Sequence, residues 1–416
     1  MPASKRAILI LIDGLTPSML EATHAPTLRY LLDSGTYRRA LSTFPSLTPV
    51  CLASVATGGH PDVHGIPHLV WWHRAEQRLV EYGSSFGALL AAGLARGIRD
   101  TIVNLNERHL FASAVTVYEA LEDAGLTTAA INITTYRGRT RHVSSVPGLP
   151  PVHGPKHFFF YSVYESDRTG APVAWRNRAG GSIDAYAGQV GRWLVTRDAF
   201  DLLVFYLPDY DYASHALGPD AAHDALGRAD TAIAALVEAA GGREAFLERY
   251  AVVLCSDHGQ SRIERVARLR LDGALVTASN RAAMVYGSDP RAIAAAFDEE
   301  PSVDVAVFLE NGSLVARRGG DEDLALLDRF PDGRTRAEAA LRNPNAGEVL
   351  ISAAPGWEFA DLAGRSHVGG GSHGSLDAVD SEVPMLTIGF DEPPASITEL
   401  KALFLRHFGV GVARAA

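Results

Sequence analysis

The sequence predicts an α/β fold with a mostly parallel central sheet that is covered by helices on both faces. Short, continuous apolar runs alternate with segments of helical periodicity, which is the pattern of parallel strands buried on both sides. The six runs that we predict to be strands are Ala7–Ile12, Thr128–Ile133, Leu202–Leu207, Ala251–Cys255, Val349–Ser352 and Met385–Ile388.

Helical segments with glycine stop signals separate these runs. The clearest are Thr27–Leu32, Ser113–Asp123 and Ala221–Ala240, which end before Gly35, Gly125 and Gly241-Gly242 respectively. Glycine readily takes the left-handed conformation that ends many helices, so these boundaries are well marked.

Two regions depart from the alternation. Residues 136–182 are rich in Gly, Pro, Arg and aromatic residues, which predicts a long loop or insertion. Residues 282–318 are predicted as strand, helix and hairpin, with Asn311-Gly312 as the hairpin turn. We therefore predict an α/β core over 1–281, a small α+β insertion over 282–345, and completion of the core by 346–416.

Composition limits the class and location of the protein. The net charge of −10 argues against a general nucleic-acid-binding surface, and 47% hydrophobic residues predict a substantial core. Cys51 and Cys255 are the only cysteines, which excludes a disulfide framework and favours a reducing compartment. The apolar run before Asp13 is too short for a signal peptide, and no stretch approaches the ~20 apolar residues of a membrane helix. These features predict a cytoplasmic protein without a membrane segment, and they give no indication of its oligomeric state.

Carboxylate and imidazole side chains follow several of the predicted strands. They are Asp13 after the first strand, Asp211 and His215 after the third, Asp257 and His258 after the fourth, and His373 in a late glycine-rich loop. In open α/β sheets the carboxyl ends of the strands form the ligand site. Taken singly, each residue has an ordinary structural alternative, such as a helix cap or a loop. Together, three carboxylates and three imidazoles predict a site for two divalent cations roughly 4 Å apart.

Thr48 lies before Pro49 and the predicted apolar helix Val50–Ala56, and two interpretations of it are open. It could cap the helix, with Pro49 at the first helical position. Alternatively, its hydroxyl could bind a cation and attack phosphorus, because a helix N-terminus also favours phosphate. Position alone does not distinguish the two.

The segment Phe44-Pro-Ser-Leu-Thr48, followed by Thr57-Gly58-Gly-His-Pro61-Asp-Val-His64-Gly65-Ile66, resembles the nucleophile region of the nucleotide pyrophosphatase/phosphodiesterase family of the alkaline phosphatase superfamily. That family has Phe-Pro-x-x-Thr and then Thr-Gly-x-x-Pro-x-x-His-Gly-Ile at the same spacing. The other blocks also resemble the family and occur in its order: Asp13-Gly14, Asp211 to Pro219 with Ser214 in place of a glycine, Asp257-His258-Gly259, and Ser372-His373-Gly374.

The resemblance implies an alkaline phosphatase-like fold and a metal-dependent hydrolase of phosphoric ester or phosphoanhydride bonds. Thr48 would be the nucleophile and would carry a covalent phospho-enzyme intermediate. One cation would be held by Asp211, His215 and His373, and the other by Asp13, Asp257 and His258, with the Thr48 oxygen reaching the second cation. Zinc is the metal that the family implies, although this ligand set would also accept manganese or iron.

Two departures from the family weaken any inference about its substrate. The family places an asparagine that holds a phosphoryl oxygen where this chain has Leu69, and Pro49 has no backbone N–H to replace it. Other groups must then bind the phosphoryl oxygen and the rest of the substrate. The residues that we predict for these roles are His68, Asn104, Arg137, Arg139 and Tyr210.

We therefore predict a small-molecule phosphate ester as substrate, with a nucleotide as one option. A phosphonate hydrolase of the phosphonoacetate type, or a phosphomonoesterase, is the alternative on the same metal core. From a different class, the two departures at Leu69 and Pro49 allow a metal-binding pseudoenzyme.

Overall fold

The computed structural model of the protein describes residues 5–177 and 180–411. Two large sheets, one of eight strands and one of six, contain most of the described strands. In chain order these are β1 (Arg6–Ile12), β2 (Thr36–Leu41), β3 (Thr128–Ile131), β4 (His157–Phe160), β5 (Tyr164–Glu165), β6 (Leu202–Leu207), β7 (Tyr250–Cys255), β8 (Leu275–Ser279), β9 (Ala282–Tyr286), β10 (Val303–Glu310), β11 (Ser313–Arg318), β12 (Asp321–Glu322), β13 (Val349–Ala353) and β14 (Glu382–Ile388).

The main sheet has eight strands in the order β2-β14-β7-β1-β6-β3-β4-β5. The five strands from β7 to β4 in this order run parallel, whereas β14 is antiparallel to both of its neighbours and β5 is antiparallel to β4. The predicted α/β class with a mostly parallel sheet is confirmed.

Alternate side chains of β1 enter two separate cores, one on each face of the main sheet. Ile8, Ile10 and Ile12 pack with the helices Pro26–Ser34, Ile183–Thr196, His223–Ala239 and Arg243–Arg249. Ala7, Leu9 and Leu11 pack with the helices Thr48–Thr57, Val117–Asp123 and Leu400–His407. Burial on both faces explains why β1 is apolar at every position from Ala7 to Ile12.

Shorter elements complete the chain. The remaining α-helices are Pro17–Glu21, Pro61–His64, Phe86–Ala92, Leu94–Arg99, Asp209–Leu217, Pro290–Ala295, Gly333–Arg342 and Ala378–Ser381, with a π-helix at Asp100–His109 and 3-10 turns at Pro219–Ala221, Leu324–Leu327 and Ile397–Glu399. The two-stranded pairs are Val70–His73 with Arg78–Glu81, Thr140–His142 with Val152–Gly154, Arg176–Asn177 with Gly180–Gly181, Ser261–Arg262 with Gly371–Ser372, and Arg265–Ala267 with Trp357–Phe359. Among the described residues, no helix has the length and apolar character needed to cross a bilayer.

The second sheet is antiparallel, with the order β8-β9-β13-β10-β11-β12. The predicted strand, helix and hairpin are present, and Asn311-Gly312 turns between β10 and β11 with positive φ at both residues. Two of its strands, β8 and β13, lie outside the predicted limits of 282–345. The prediction that Val349–Ser352 joins the parallel sheet is wrong, because this run lies in β13. An apolar run indicates burial on both faces but not which sheet provides the neighbours.

The segment 136–182, predicted as a loop or insertion, also contributes to the main sheet. It contains β4 and β5, which form the edge of that sheet beside β3. The residues that follow β4 turn toward the cavity described below, so this segment is both a sheet edge and a cavity wall.

Candidate active site

The predicted ligand residues converge at the carboxyl ends of the parallel strands. Asp13 follows β1, and Asp257 and His258 follow β7. Helix Asp209–Leu217 after β6 carries Asp211 and His215, and His373 follows the short strand Gly371–Ser372. Two groups result, each with its ligand atoms within 4.8 Å of one another. The first group is Asp211, His215 and His373, and the second group is Asp13, Asp257 and His258. The rings of His258 and His373 stack at 3.5 Å between centroids, so the two groups are adjacent.

Each histidine is oriented by a backbone carbonyl. The Nδ1 atom of His215 lies 2.8 Å from the carbonyl oxygen of Gly371, that of His258 lies 3.0 Å from the oxygen of Gly259, and that of His373 lies 2.7 Å from the oxygen of Ser46. Because a carbonyl only accepts, each Nδ1 carries the proton and each Nε2 presents a lone pair. This is the arrangement that protein ligands of metal ions commonly show.

Burial keeps two of these imidazoles neutral. It lowers the pKa of His215 to about 4, despite the opposing effect of the Asp211 carboxylate. It also lowers the pKa of His373 well below the usual value, and the neighbouring His258 and His215 act in the same direction. Neutral imidazole is the form that binds a metal ion.

Asp13 and Asp257 are each held through one oxygen, which leaves the other without a partner. Tyr206 donates its hydroxyl to Asp13 Oδ2, and the N–H groups of Gly14 and His258 donate to Asp257 Oδ1 at 3.2 and 3.0 Å. Asp13 Oδ1 and Asp257 Oδ2 are buried and have no hydrogen-bond partner among the described residues. Burial, together with the neighbouring carboxylates, raises the pKa of both aspartates well above the usual value.

These unpaired oxygens make the fit to a cation specific. Asp13 Oδ1 lies 3.3 Å and Asp257 Oδ2 lies 3.4 Å from the Nε2 lone pair of His258. The two unpaired carboxylate oxygens beside this nitrogen in a buried space repel one another unless a proton or a cation lies between them. The nitrogen and oxygen ligands of both groups suit zinc or a similar divalent ion.

Thr48 lies beside the second group. It is the first residue of helix Thr48–Thr57, whose N-cap is Leu47, so the interpretation of Thr48 as the capping residue is wrong. Its Oγ1 lies 3.1 Å from His258 Nε2, and since that nitrogen accepts, the hydroxyl donates. The hydroxyl is therefore directed to the centre of the site and not to the helix backbone.

A cavity of about 900 Å³ opens over both groups. Much of its wall is apolar or aromatic, with Leu69, Tyr82, Leu105, Phe160 and Tyr161 among its lining residues. Arg365 is the one Lys or Arg among the described residues that line it. The cavity is thus large, and among the described residues its ionisable lining away from the two groups, tyrosines aside, consists of Glu358, Asp361, Arg365 and His367.

The five residues predicted to bind substrate do not line this cavity. His68 Nδ1 accepts from the N–H of Val70 while its Nε2 contacts the oxygen of Ala282, and Asn104 donates to Asp100. Tyr210 donates its hydroxyl to the oxygen of Pro219. Their polar atoms are used inside the fold, so they are not available to a substrate.

The two arginines are also used structurally. Arg137 donates to the carbonyl oxygens of Leu110, Phe111 and Ala114 and pairs with Glu119. Arg139 pairs with Asp123 and Glu119. The guanidinium groups of both arginines thus bind protein carbonyls and carboxylates, and neither residue lines the cavity.

Three residues that the sequence did not single out contact the ligand groups. Tyr206 holds Asp13, Gln260 donates its amide to Asp211 Oδ1, and Asn280 Nδ2 lies 3.1 Å from His373 Nε2. Gln260 follows the Asp257-His258-Gly259 block directly, which is a signal that could have identified it. Asn280 lies in the turn between β8 and β9, and no sequence motif points to it.

Gln260 connects Asp211 to Ser214, the residue that replaces the family's glycine. Ser214 donates to Gln260 Oε1, and Gln260 donates in turn to Asp211. We expect Gln260→Ala to weaken zinc binding to the first group by roughly tenfold or more, since outer hydrogen-bond partners orient metal ligands. Competition with a chromogenic chelator measures this affinity. Ser18→Ala, which removes a hydroxyl away from the site, serves as the control, and equal affinities in both variants would contradict the prediction.

The fold and the site define the class, which is an alkaline phosphatase-like α/β protein with two adjacent groups of metal-type ligands. The sequence profile of the type I phosphodiesterase/nucleotide pyrophosphatase family matches residues 7–376, and the chain belongs to that family. No curated protein sequence matches significantly.

Solved structures share the complete fold at low sequence identity. Murine ectonucleotide pyrophosphatase/phosphodiesterase 5 superposes with a TM-score of 0.70 at 13% identity, covering 99% of this chain and 97% of that one. Phosphonoacetate hydrolase from Sinorhizobium meliloti 1021, in complex with phosphonoformate, gives 0.67 at 18% identity, with coverages of 98% and 96%. An inactive threonine-to-alanine form of the murine protein in complex with AMP gives 0.69 at 13% identity, with coverages of 99% and 97%.

Proposed function

We propose that the protein is a two-metal phosphoric ester hydrolase that uses Thr48 as its nucleophile and prefers diesters. The observation that carries the proposal is the 3.1 Å contact between Thr48 Oγ1 and His258 Nε2. It puts a hydroxyl next to a group of three buried ligands, two of which have an unpaired oxygen. A hydroxyl so placed can approach a phosphorus atom that is held at the same centre.

Two divalent cations, zinc in this proposal, would stabilise the negative charge that develops on phosphoryl oxygens and would lower the pKa of a nearby hydroxyl. Asp211, His215 and His373 would hold one of them, and Asp13, Asp257 and His258 the other. The carbonyl partners of the histidines and the Tyr206 contact to Asp13 keep these side chains in place.

In the first step a bond forms between Thr48 Oγ1 and phosphorus while the bond from phosphorus to the leaving oxygen breaks. The hydroxyl proton goes to solvent, and the departing alkoxide takes a proton from solvent. In the second step the oxygen of a water molecule bonds to phosphorus while the bond from phosphorus to Thr48 Oγ1 breaks. A diester substrate then yields a phosphate monoester, and a proton of the water restores the Thr48 hydroxyl.

One structural neighbour supports the threonine nucleophile, and another supports the phosphonoacetate alternative. The murine protein binds AMP in a form that is inactive because a threonine is replaced by alanine. The bacterial neighbour is a phosphonoacetate hydrolase. The intact geometry of all six ligands and of Thr48 argues against a pseudoenzyme.

The lining of the cavity favours a diester over phosphonoacetate. The carboxylate of phosphonoacetate, which is a second anionic group beside the phosphonate, would need a cationic partner when it enters a buried space. Arg365 is exposed, and His367 already pairs with Glu358, so no described lining residue offers a buried, uncommitted cation near the ligand groups. A volume of about 900 Å³ also exceeds what phosphonoacetate would fill, whereas it accepts a phosphate with an aromatic ester group.

Comparison of three substrates tests the proposal. We expect zinc-loaded enzyme to hydrolyse bis-p-nitrophenyl phosphate with a kcat/KM at least about tenfold above those for p-nitrophenyl phosphate and phosphonoacetate, which corresponds to about 1.4 kcal/mol of transition-state binding. Enzyme treated with a chelator is the control and should be inactive on all three. A higher kcat/KM for phosphonoacetate would contradict the diester assignment.

We further propose a reducing, cytoplasmic location. Cys51 and Cys255 are both buried and unpaired, as expected for a protein that does not depend on disulfides.

A further inference from the structure

The turn between β8 and β9 brings a polar side chain of the second sheet to the metal-type ligands of the main sheet. Ser279 pairs with Ala282, so Asn280 and Arg281 form a two-residue turn. Asn280 lines the cavity, is only 7% exposed, and has a left-handed backbone with φ of 57°. Asparagine tolerates this conformation better than most residues, and here its side chain is buried instead of facing solvent.

Hydrogen bonds fix the orientation of the Asn280 amide. The hydroxyl of Ser279 donates to Asn280 Oδ1 at 3.2 Å, which identifies that atom as the acceptor. Asn280 Nδ2 then donates to His373 Nε2 at 3.1 Å, because the Nδ1 proton of His373 is committed to the oxygen of Ser46. The amide N–H is therefore directed to the atom with which His373 would bind a cation.

The turn is held rigidly against the segment that carries His373. The N–H of Arg281 donates to the oxygen of His373 at 2.9 Å, and the N–H of Phe359 donates to the oxygen of Asn280 at 2.7 Å. The buried guanidinium of Arg281 pairs with Asp380 at 2.8 Å. A buried, satisfied ion pair of this kind restricts movement of the turn, since separating its partners is costly.

A cation bound to the first group would remove the hydrogen-bond acceptor of the Asn280 amide. A cation held by His373 would use its Nε2 lone pair, and the Asn280 N–H would then need another acceptor. A buried amide without an acceptor is unfavourable. A phosphoryl oxygen at the same centre would restore the missing hydrogen bond.

We propose that Asn280 Nδ2 binds a non-bridging oxygen of the substrate phosphoryl group, and so supplies the donor that is absent at Leu69 and Pro49. This inference rests on the proposed function of the site. Asn280 carries the one side-chain amide among the described residues that line the cavity. The donor comes from a different sheet than the nucleophile segment, which explains why the sequence near Thr48 does not reveal it.

Binding of inorganic phosphate to the zinc-loaded protein tests the assignment without turnover. Asn280→Gly deletes the amide and suits the left-handed backbone, and Asn280→Asp keeps the shape but replaces the donor by an anion. We expect the Kd for phosphate, measured by calorimetry, to rise roughly tenfold to a hundredfold in the glycine variant and further in the aspartate variant. We expect zinc affinity, measured by chelator competition, to stay equal or to increase in both.

Asn311→Gly is the matched control, because Asn311 has a φ of 51° in a two-residue turn of the same sheet but is exposed. It should change neither affinity. If Asn280 only supports His373, zinc affinity will fall in the Asn280 variants, and that result would overturn the proposal. Unchanged phosphate affinity in both variants would overturn it as well and leave the proposed function intact. Absence of phosphate binding in the zinc-loaded wild type would overturn the proposed function together with this inference.

Discussion

Thr48→Ala is expected to reduce turnover of bis-p-nitrophenyl phosphate by at least about a thousandfold, because the substitution removes the hydroxyl proposed to form the covalent intermediate. Thr48 Oγ1 is the hydroxyl that contacts His258, and none of the six ligand side chains is changed by the substitution. The zinc content of the purified variant should therefore equal that of the wild type. Steady-state kinetics and elemental analysis of the same preparation give both quantities.

Thr43 provides a matched control for this substitution. It also flanks the Phe44-Pro45 pair, but its hydroxyl contacts His60 Nδ1 at 3.0 Å and not a ligand of either group. Thr43→Val should keep most of the activity, and Thr48→Ser should keep a measurable part because the hydroxyl remains. Turnover by Thr48→Ala at a rate near that of the wild type would exclude Thr48 as the nucleophile.

The strands of the parallel core were predictable because burial on both faces makes almost every residue of such a strand apolar. Leu202–Leu207 is predicted with the bounds that the structure has, since a strand covered on both faces requires an unbroken apolar run. An apolar run does not indicate the direction of the strand or the strands with which it pairs. Met385–Ile388 lies in the main sheet but runs antiparallel, and Val349–Ser352 lies in the second sheet, although both are as apolar as the parallel strands.

The ligand residues were predictable for a different reason. Asp13, Asp257 and His258 directly follow strands, and the topology of a parallel sheet brings the carboxyl ends of its strands together. His373 lies in a late glycine-rich loop and follows no strand of the parallel sheet, so the topology of that sheet alone does not place it in the site. Its position is fixed by long-range hydrogen bonds to Ser46 and to the turn at Asn280, which a sequence pattern does not contain.

The substrate-binding predictions failed because side-chain direction depends on tertiary partners. Arg137 lies in a segment that was expected to face the site, yet three backbone carbonyls and Glu119 use its guanidinium. Asn280 lies within the predicted core of 1–281, but no motif marks it, and the turn that brings it to His373 belongs to the second sheet. An insertion that donates one side chain to a neighbouring site leaves no periodic signal in the sequence.

Asp257→Asn is expected to have opposite effects on the zinc-free and the zinc-loaded protein. Asp257 is fully buried, and its Oδ2 has no hydrogen-bond partner and lies 3.4 Å from the His258 lone pair. An amide at this position carries no charge and replaces one of the facing acceptors by a donor. We expect the free energy of unfolding of the zinc-free protein to rise by about 1–3 kcal/mol at pH 8, while zinc affinity of the second group falls at least about a hundredfold.

Asp380→Asn is the matched control, because Asp380 is equally buried but both of its oxygens are paired. Its Oδ1 accepts from Ser261 and Arg281, and its Oδ2 accepts from the N–H and hydroxyl of Ser375. The same substitution should therefore destabilise the protein by about 3 kcal/mol, with or without zinc, since it leaves a buried guanidinium without its carboxylate partner.

Urea denaturation of both variants, with excess chelator and with zinc, measures the four free energies of unfolding. If Asp257→Asn destabilises the zinc-free protein as Asp380→Asn does, the unpaired oxygens are not evidence of a site built for a cation. If Asp257→Asn raises the free energy of unfolding of the zinc-free protein and lowers that of the zinc-loaded protein, the Asp257 carboxylate functions as a metal ligand.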